Sequence, residues 1–170
     1  ITEDACAQGC CRTSSSNVPF EKALEQTLPQ LRAPDSANLV IMDQFGVKEV
    51  TPPVVDKLLS CGTTDILFFI SSSFIRRFAA EPAMQQHFNV SSDELLSVPH
   101  RSIHRYVCGY FRERTSCQDA FFAPFSIRRG SNIYGIVFAS RRLLGLDKFL
   151  TACWQLDGVT GEANYAIDGD

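Results

Sequence analysis

The sequence has no long apolar run. Its longest, "DILFFI" at 65–70, falls far short of the roughly 20 residues that a membrane-crossing helix needs, so no membrane partner is expected. No basic segment leading into an apolar core opens the chain, and the expectation is a soluble, cytoplasmic protein. G-x-G-x-x-G, G-x-S-x-G and H-E-x-x-H are all missing, which removes the motif-based case for a dinucleotide site, a serine-hydrolase elbow and a zincin. Internal repeats and low-complexity linkers are missing too, so residues 1–170 read as one domain, with 1–17 a poorly defined N-terminal segment.

Histidine is scarce, at three residues, and cysteine is not, at seven. Cys6, Cys10 and Cys11 cluster in "CAQGCC", but structural zinc takes four ligands and no second spaced pair follows. Reduced thiols, with no metal, are the expected state of all seven. His100 and His104 in "HRSIHR" have the four-residue spacing of two helical metal ligands. No glutamate lies between them and no third ligand is evident, so a phosphate-facing surface or an internal hydrogen-bond network is the better reading.

Charge is unevenly spread. The net charge is −3, yet residues 71–148 carry eleven basic against six acidic groups, including ten of the twelve arginines. Arginine pairs bidentately with phosphate, so one basic face suits a nucleic acid. Ordinary solvated helix faces with local ion pairs are the alternative.

The periodicity alternates between helix and strand. "VPFEKALEQTLPQL" at 18–31 spaces Phe20, Leu24, Leu28 and Leu31 as a helix does. "NLVIM" at 38–42 reads as a strand without polar alternation, as in a sheet covered on both faces. "TPPVVDKLLS" has Thr51 as N-cap with proline in the first turn, and "DILFFIS" is a second apolar strand. Two such strands joined by a helix make a parallel βαβ unit. "SSFIRRFAAEPAMQQHF" is helical and interrupted at Pro82. "HRSIHRYVCGYFRERT" places Ile103, Val107, Tyr110 and Phe111 on one helix side. "FFAPFSIRRGSNIYGIVFAS" reads as an antiparallel hairpin, and "GLDKFLTACWQL" as a helix anchored in the core by Trp154. The predicted fold is α/β.

Two strand ends attract attention, because ligands of open α/β sheets sit at the carboxyl ends of parallel strands. The first strand ends in "DQFG", which puts Asp43 and Phe45 at the lip; a structural cap with Phe45 packed inward and a positive φ at Gly46 is the alternative. The second ends in Ser71, Ser72 and Ser73, best read as helix caps. "IRRGSN" brings Arg128 and Arg129 to a hairpin tip that can grip a backbone phosphate, with pairing to the acidic C-terminal tail as the alternative.

"NLVIMDQFGVKEV", "TDILFFISSSFIRRF", "HRSIHRYVCGYFRE", "APFSIRRGSNIYGIVFAS" and "KFLTACWQLDGVTGEAN" together resemble the three-Cys-motif partner proteins of bacteria and their mobile elements, over roughly residues 18–170. That family is similar to S-adenosylmethionine-dependent methyltransferases. The resemblance implies the later strands of a Rossmann-like, methyltransferase-type sheet with its terminal antiparallel hairpin. It also implies a genomic neighbour, a radical-SAM-like protein that carries the three-cysteine motif, as partner; "CAQGCC" is not that motif. Family members open with a strand and a glycine-rich turn that have no counterpart upstream of Asp43. The expectation is therefore a C-terminal part or shortened relative. S-adenosylmethionine would belong to the complete protein, and neither cofactor binding nor activity is expected of this chain alone. Asp43 and Phe45 take the place where amino-methyltransferases hold and stack a target base, and Arg101, Arg105, Arg128 and Arg129 are the expected phosphate contacts. A non-catalytic scaffold with a degenerate methyltransferase fold is the competing expectation.

Overall fold

A computed structural model describes residues 15–43, 48–89, 91–129 and 132–162. The elements follow in the order α1 (Phe20–Leu31), β1 (Asn38–Met42), α2 (Pro52–Leu59), β2 (Thr64–Ser71), α3 (Ser72–Arg77), α4 (Pro82–Phe88), α5 (Ser92–Ser97), a 3-10 turn (His100–Ser102), α6 (Ile103–Arg114), β3 (Phe121–Arg129), β4 (Asn132–Ser140) and α7 (Leu143–Leu156). The four strands form one mixed sheet in the order β1-β2-β4-β3. β1 and β2 are parallel, whereas β4 runs antiparallel to both β2 and β3. It follows that β1, β2 and β3 point the same way.

Local chemistry explains the breaks. Pro82 opens α4 at its first turn, where a missing N–H costs nothing, so the proline separates α3 from α4. Ser71 ends β2 and caps α3 by accepting from Phe74 N at 3.2 Å. Thr51 sits at the N-cap of α2 without a side-chain bond. The carboxylate of Asp56 on α2 accepts from the Thr115 hydroxyl and from Ser116 N at 2.9 Å, tying that helix to the end of α6.

One sheet face is closed. Ile66, Phe68 and Ile70 of β2 and Val137 of β4 lie with Val55, Leu58, Ile103, Val107 and Phe111 in the main core, with α2 on β2 and α6 on β3 and β4. Leu24 and Leu28 of α1 join it beside Met42. The other face is covered by α7, which packs on β3 and β4 with Phe149 stacked on Phe138 at 4.7 Å. Cover on both faces does not extend to β1: Leu39 is 61% exposed and Ile41 65%. Trp154 departs from the expected core anchor as well. It is half exposed and lies against the turn at Gly161, whose φ of +71° is a glycine conformation. No helix among the described residues is long and apolar enough to cross a membrane.

Candidate functional site at the carboxyl edge of the sheet

Because β1, β2 and β3 share a direction, their carboxyl ends lie on one edge. Asp43, Ser71 to Ser73 and Arg128 to Arg129, remote in sequence, therefore line the same rim. Three strand spacings separate the end of β1 from that of β3, about 14 Å at roughly 4.8 Å each. They cannot touch one small group together, but they can follow an extended ligand.

At the β1 end, Asp43 is exposed and borders a hollow of about 430 Å3 with Phe20, Val40, Ile41, Met42, Glu49 and Val50. Its polar side chains are two carboxylates, Asp43 and Glu49, among apolar groups, which suits accepting hydrogen bonds from an amino group. Phe45 and Gly46 lie outside the described residues.

At the β2 end, the structure makes a link that neither the serine run nor the histidine spacing revealed. Ser73 Oγ lies 3.1 Å from His100 Nε2 and accepts from Ile133 N at 3.0 Å. This pins the turn that carries Arg101 against the start of β4. Burial, and then the Arg76 guanidinium, push the His100 pKa down, so the ring is neutral near pH 7 and suits a hydrogen bond with the serine hydroxyl. His100 and His104 thus have separate partners, and no group of three metal-ligating side chains occurs among the described residues.

At the β3 end, Glu162 organises the surface. Its backbone carbonyl accepts from Ser126 N at 3.2 Å and from Ser126 Oγ at 3.0 Å. Its carboxylate accepts from Arg105 Nε at 2.6 Å and lies 3.5 Å from His104 Nε2. Glu162 thus joins α6 to β3 of the hairpin. Burial lowers the His104 pKa, against an opposing pull from Glu162. The buried Asp157 holds the turn in place by accepting from Val159 N at 3.0 Å and Glu162 N at 3.1 Å. Arg101 and Arg128 are exposed; Arg128 is two residues past Ser126 on the same side of β3. Arg129 ends the strand.

Several other arginines have local structural duties. Arg141 grips Asp119 with Nε and Nη2 at 2.9 and 2.8 Å, Arg112 Nη2 donates to Phe122 O at 2.9 Å, and Arg114 lies 4.3 Å over the Tyr110 ring. The central basic excess is therefore partly internal bracing. The thiols are structural as well: Cys61, Cys108 and Cys153 are buried, and burial pushes Cys108 and Cys153 up to about 11. Cys6, Cys10 and Cys11 lie outside the described residues. The chain matches no family profile, no curated protein and no solved structure.

Proposed function

We propose that this chain is the later part of a methyltransferase-like domain of the three-Cys-motif partner kind, which binds nucleic acid along the carboxyl edge of its sheet. The observation that carries the reading is the strand arrangement: a parallel pair, then a hairpin whose returning strand is inserted beside β2. That is the pattern expected for the second half of such a sheet, and it gathers Asp43, Arg101 and Arg128 on one rim. Asp43 accepts a hydrogen bond from an amino group of a displaced base, while the arginines meet the backbone. Phe45 supplies the stacking surface in this reading. Among the described residues no glycine follows the carboxyl end of a parallel strand, Gly46 and Gly130 lying outside them. In this proposal S-adenosylmethionine belongs to the complete protein. The radical-SAM-like neighbour is the proposed partner.

Fluorescence anisotropy with labelled single-stranded RNA and DNA tests the reading. Replacing Arg128 and Arg129 together by alanine should weaken binding alike across sequences and flatten the plot of log affinity against log salt, each lost phosphate contact being worth a slope of roughly 0.7 to 0.9. Asp43→Asn should leave binding intact and lower methyl transfer by the complete gene product. Wild-type binding by the double arginine variant, with Asp43→Asn merely unstable, would favour the scaffold reading. The open apolar surface around Leu39, Ile41, Leu143 and Leu144 supports that second reading, since large exposed apolar patches mark interaction sites.

A further inference from the structure

Ser73 sits where α3, β4 and the 3-10 turn meet. Its hydroxyl accepts from Ile133 N at 3.0 Å and lies 3.1 Å from His100 Nε2, with Ile133 O farther off at 3.5 Å. An oxygen that accepts from a backbone amide still has its own proton to give. The shorter contact takes it, because 3.5 Å is long for a hydroxyl donor. His100 Nε2 is then the acceptor, and in a neutral imidazole the proton stays on Nδ1. The serine thus selects the tautomer, and it leaves Nδ1–H as a donor on a partly exposed ring. Nδ1 makes no hydrogen bond among the described residues and, unlike Ser72 Oγ, is not sealed from water.

A cation stands beside this donor. Arg76 is exposed on α3, held by one bond from Nη1 to Val98 O at 3.3 Å, and after burial it is the group that most disfavours a charged His100. The other charged groups nearby are Arg101, next in the turn, and two carboxylates that are engaged elsewhere: Glu94 of α5 with the Tyr106 hydroxyl, Glu162 with Arg105 and beside His104 of α6. β4 contributes Ile133, through Ser73. A neutral N–H donor beside a guanidinium suits an anionic oxygen. Because α3 packs on β4 and on the turn, the arrangement does not depend on what lies beyond β1.

We infer that His100 Nδ1 and Arg76 together hold one backbone phosphate of the ligand, on the stretch of rim between Asp43 and Arg128. The inference rests on the nucleic-acid reading and adds a contact to it. Its place follows from the strand order, since β2 and β4 lie between β1 and β3. Binding draws a proton from solvent onto the ring, because the arriving negative charge offsets Arg76 and favours imidazolium. Nε2–H then donates to Ser73 Oγ, whose own proton turns to Ile133 O. The junction therefore holds in both charge states, and Ser73 acts as a positioning residue.

Anisotropy of a labelled single-stranded oligonucleotide, at constant ionic strength from about pH 8 down to about pH 6.5, tests this. Affinity should rise as pH falls, by up to about tenfold per pH unit for one proton taken up, whereas acid loosening of the fold would lower it. His100→Asn keeps an amide donor near the place of Nδ1 but cannot titrate, so binding near pH 8 should persist and the pH dependence should vanish. Arg76→Ala should reduce the salt slope by roughly 0.7, the value of one phosphate contact to a single strand. If the asparagine variant does not fold, NMR titration of the wild-type His100 ring should show its pKa moving up when the oligonucleotide is bound. Affinity independent of pH, a pH dependence that survives His100→Asn, or a ring pKa unmoved by the ligand overturns the inference. Any of these leaves the nucleic-acid reading standing, provided that the Arg128 and Arg129 double variant still binds more weakly; no binding at any pH overturns both.

Discussion

Gly135 shows how much one missing Cβ decides. A methyl group there would lie 2.6 Å from both His104 Cβ and Ile70 Cγ1, inside the layer where α6 presses on the sheet. Gly135→Ala should therefore cost about 1–3 kcal/mol by overpacking, measured as a lower urea midpoint at unchanged slope. An unaltered midpoint would mean that the helix can retreat. The glycine was visible within "NIYGIVFAS", and a glycine inside a strand signals close approach. Which side chain approaches was not visible, because His104 is 31 residues away in sequence. The Ser73–His100 link was hidden for the same reason: the capping role of the serine run is local, whereas the bond spans separate elements.

Element boundaries were the more readable scale. Prolines, caps and hydrophobic spacing act within a turn or two, so α1, β1, α2, the break at Pro82, the buried side of α6 and the β3–β4 hairpin all follow from nearby residues. At the junction of β2 and α3 a single hydroxyl carries the change of direction. Ser71→Ala should destabilise the fold by about 1 kcal/mol, with Ser71→Gly costing less, because glycine tolerates the cap backbone. Thermal melts of the two variants measure this, and an alanine variant as stable as wild type would show water replacing the cap. β1 was the element misjudged in its surroundings. A continuous apolar run reads as buried on both sides, but α7 packs on β3 and β4 and reaches no further across than Asp65 of β2, so Leu39 and Ile41 stay open.

For the whole molecule, the shared direction of the histidine shifts sets the response to acid. Burial lowers the pKa of His87, His100 and His104 below the ordinary value of 6.5, with Arg76 adding to the shift at His100 and Glu162 opposing it at His104. The unfolded chain therefore takes up protons before the folded one as pH falls. Stability is full above about 6.5 and is lost progressively below it. The urea midpoint should hold steady between about pH 7 and 8 and drop toward about pH 5.5; a flat profile across that range would show that the three rings stay neutral or are equally solvated in both states. The fall begins before most carboxylates titrate, which separates the two causes.

The sequence by itself determined the α/β class, the parallel βαβ unit, the terminal hairpin and the acidic and serine-bearing strand ends, because each depends on spacing within a short window. Only the tertiary structure decided that the reversal of β4 alone leaves Asp43, Ser73 and Arg128 on one rim, that Glu162 joins α6 to β3, and that β1 lies at the edge of the sheet among the described residues. Strand order is settled by which faces can be buried together across the whole chain, and that balance is not written in any local pattern.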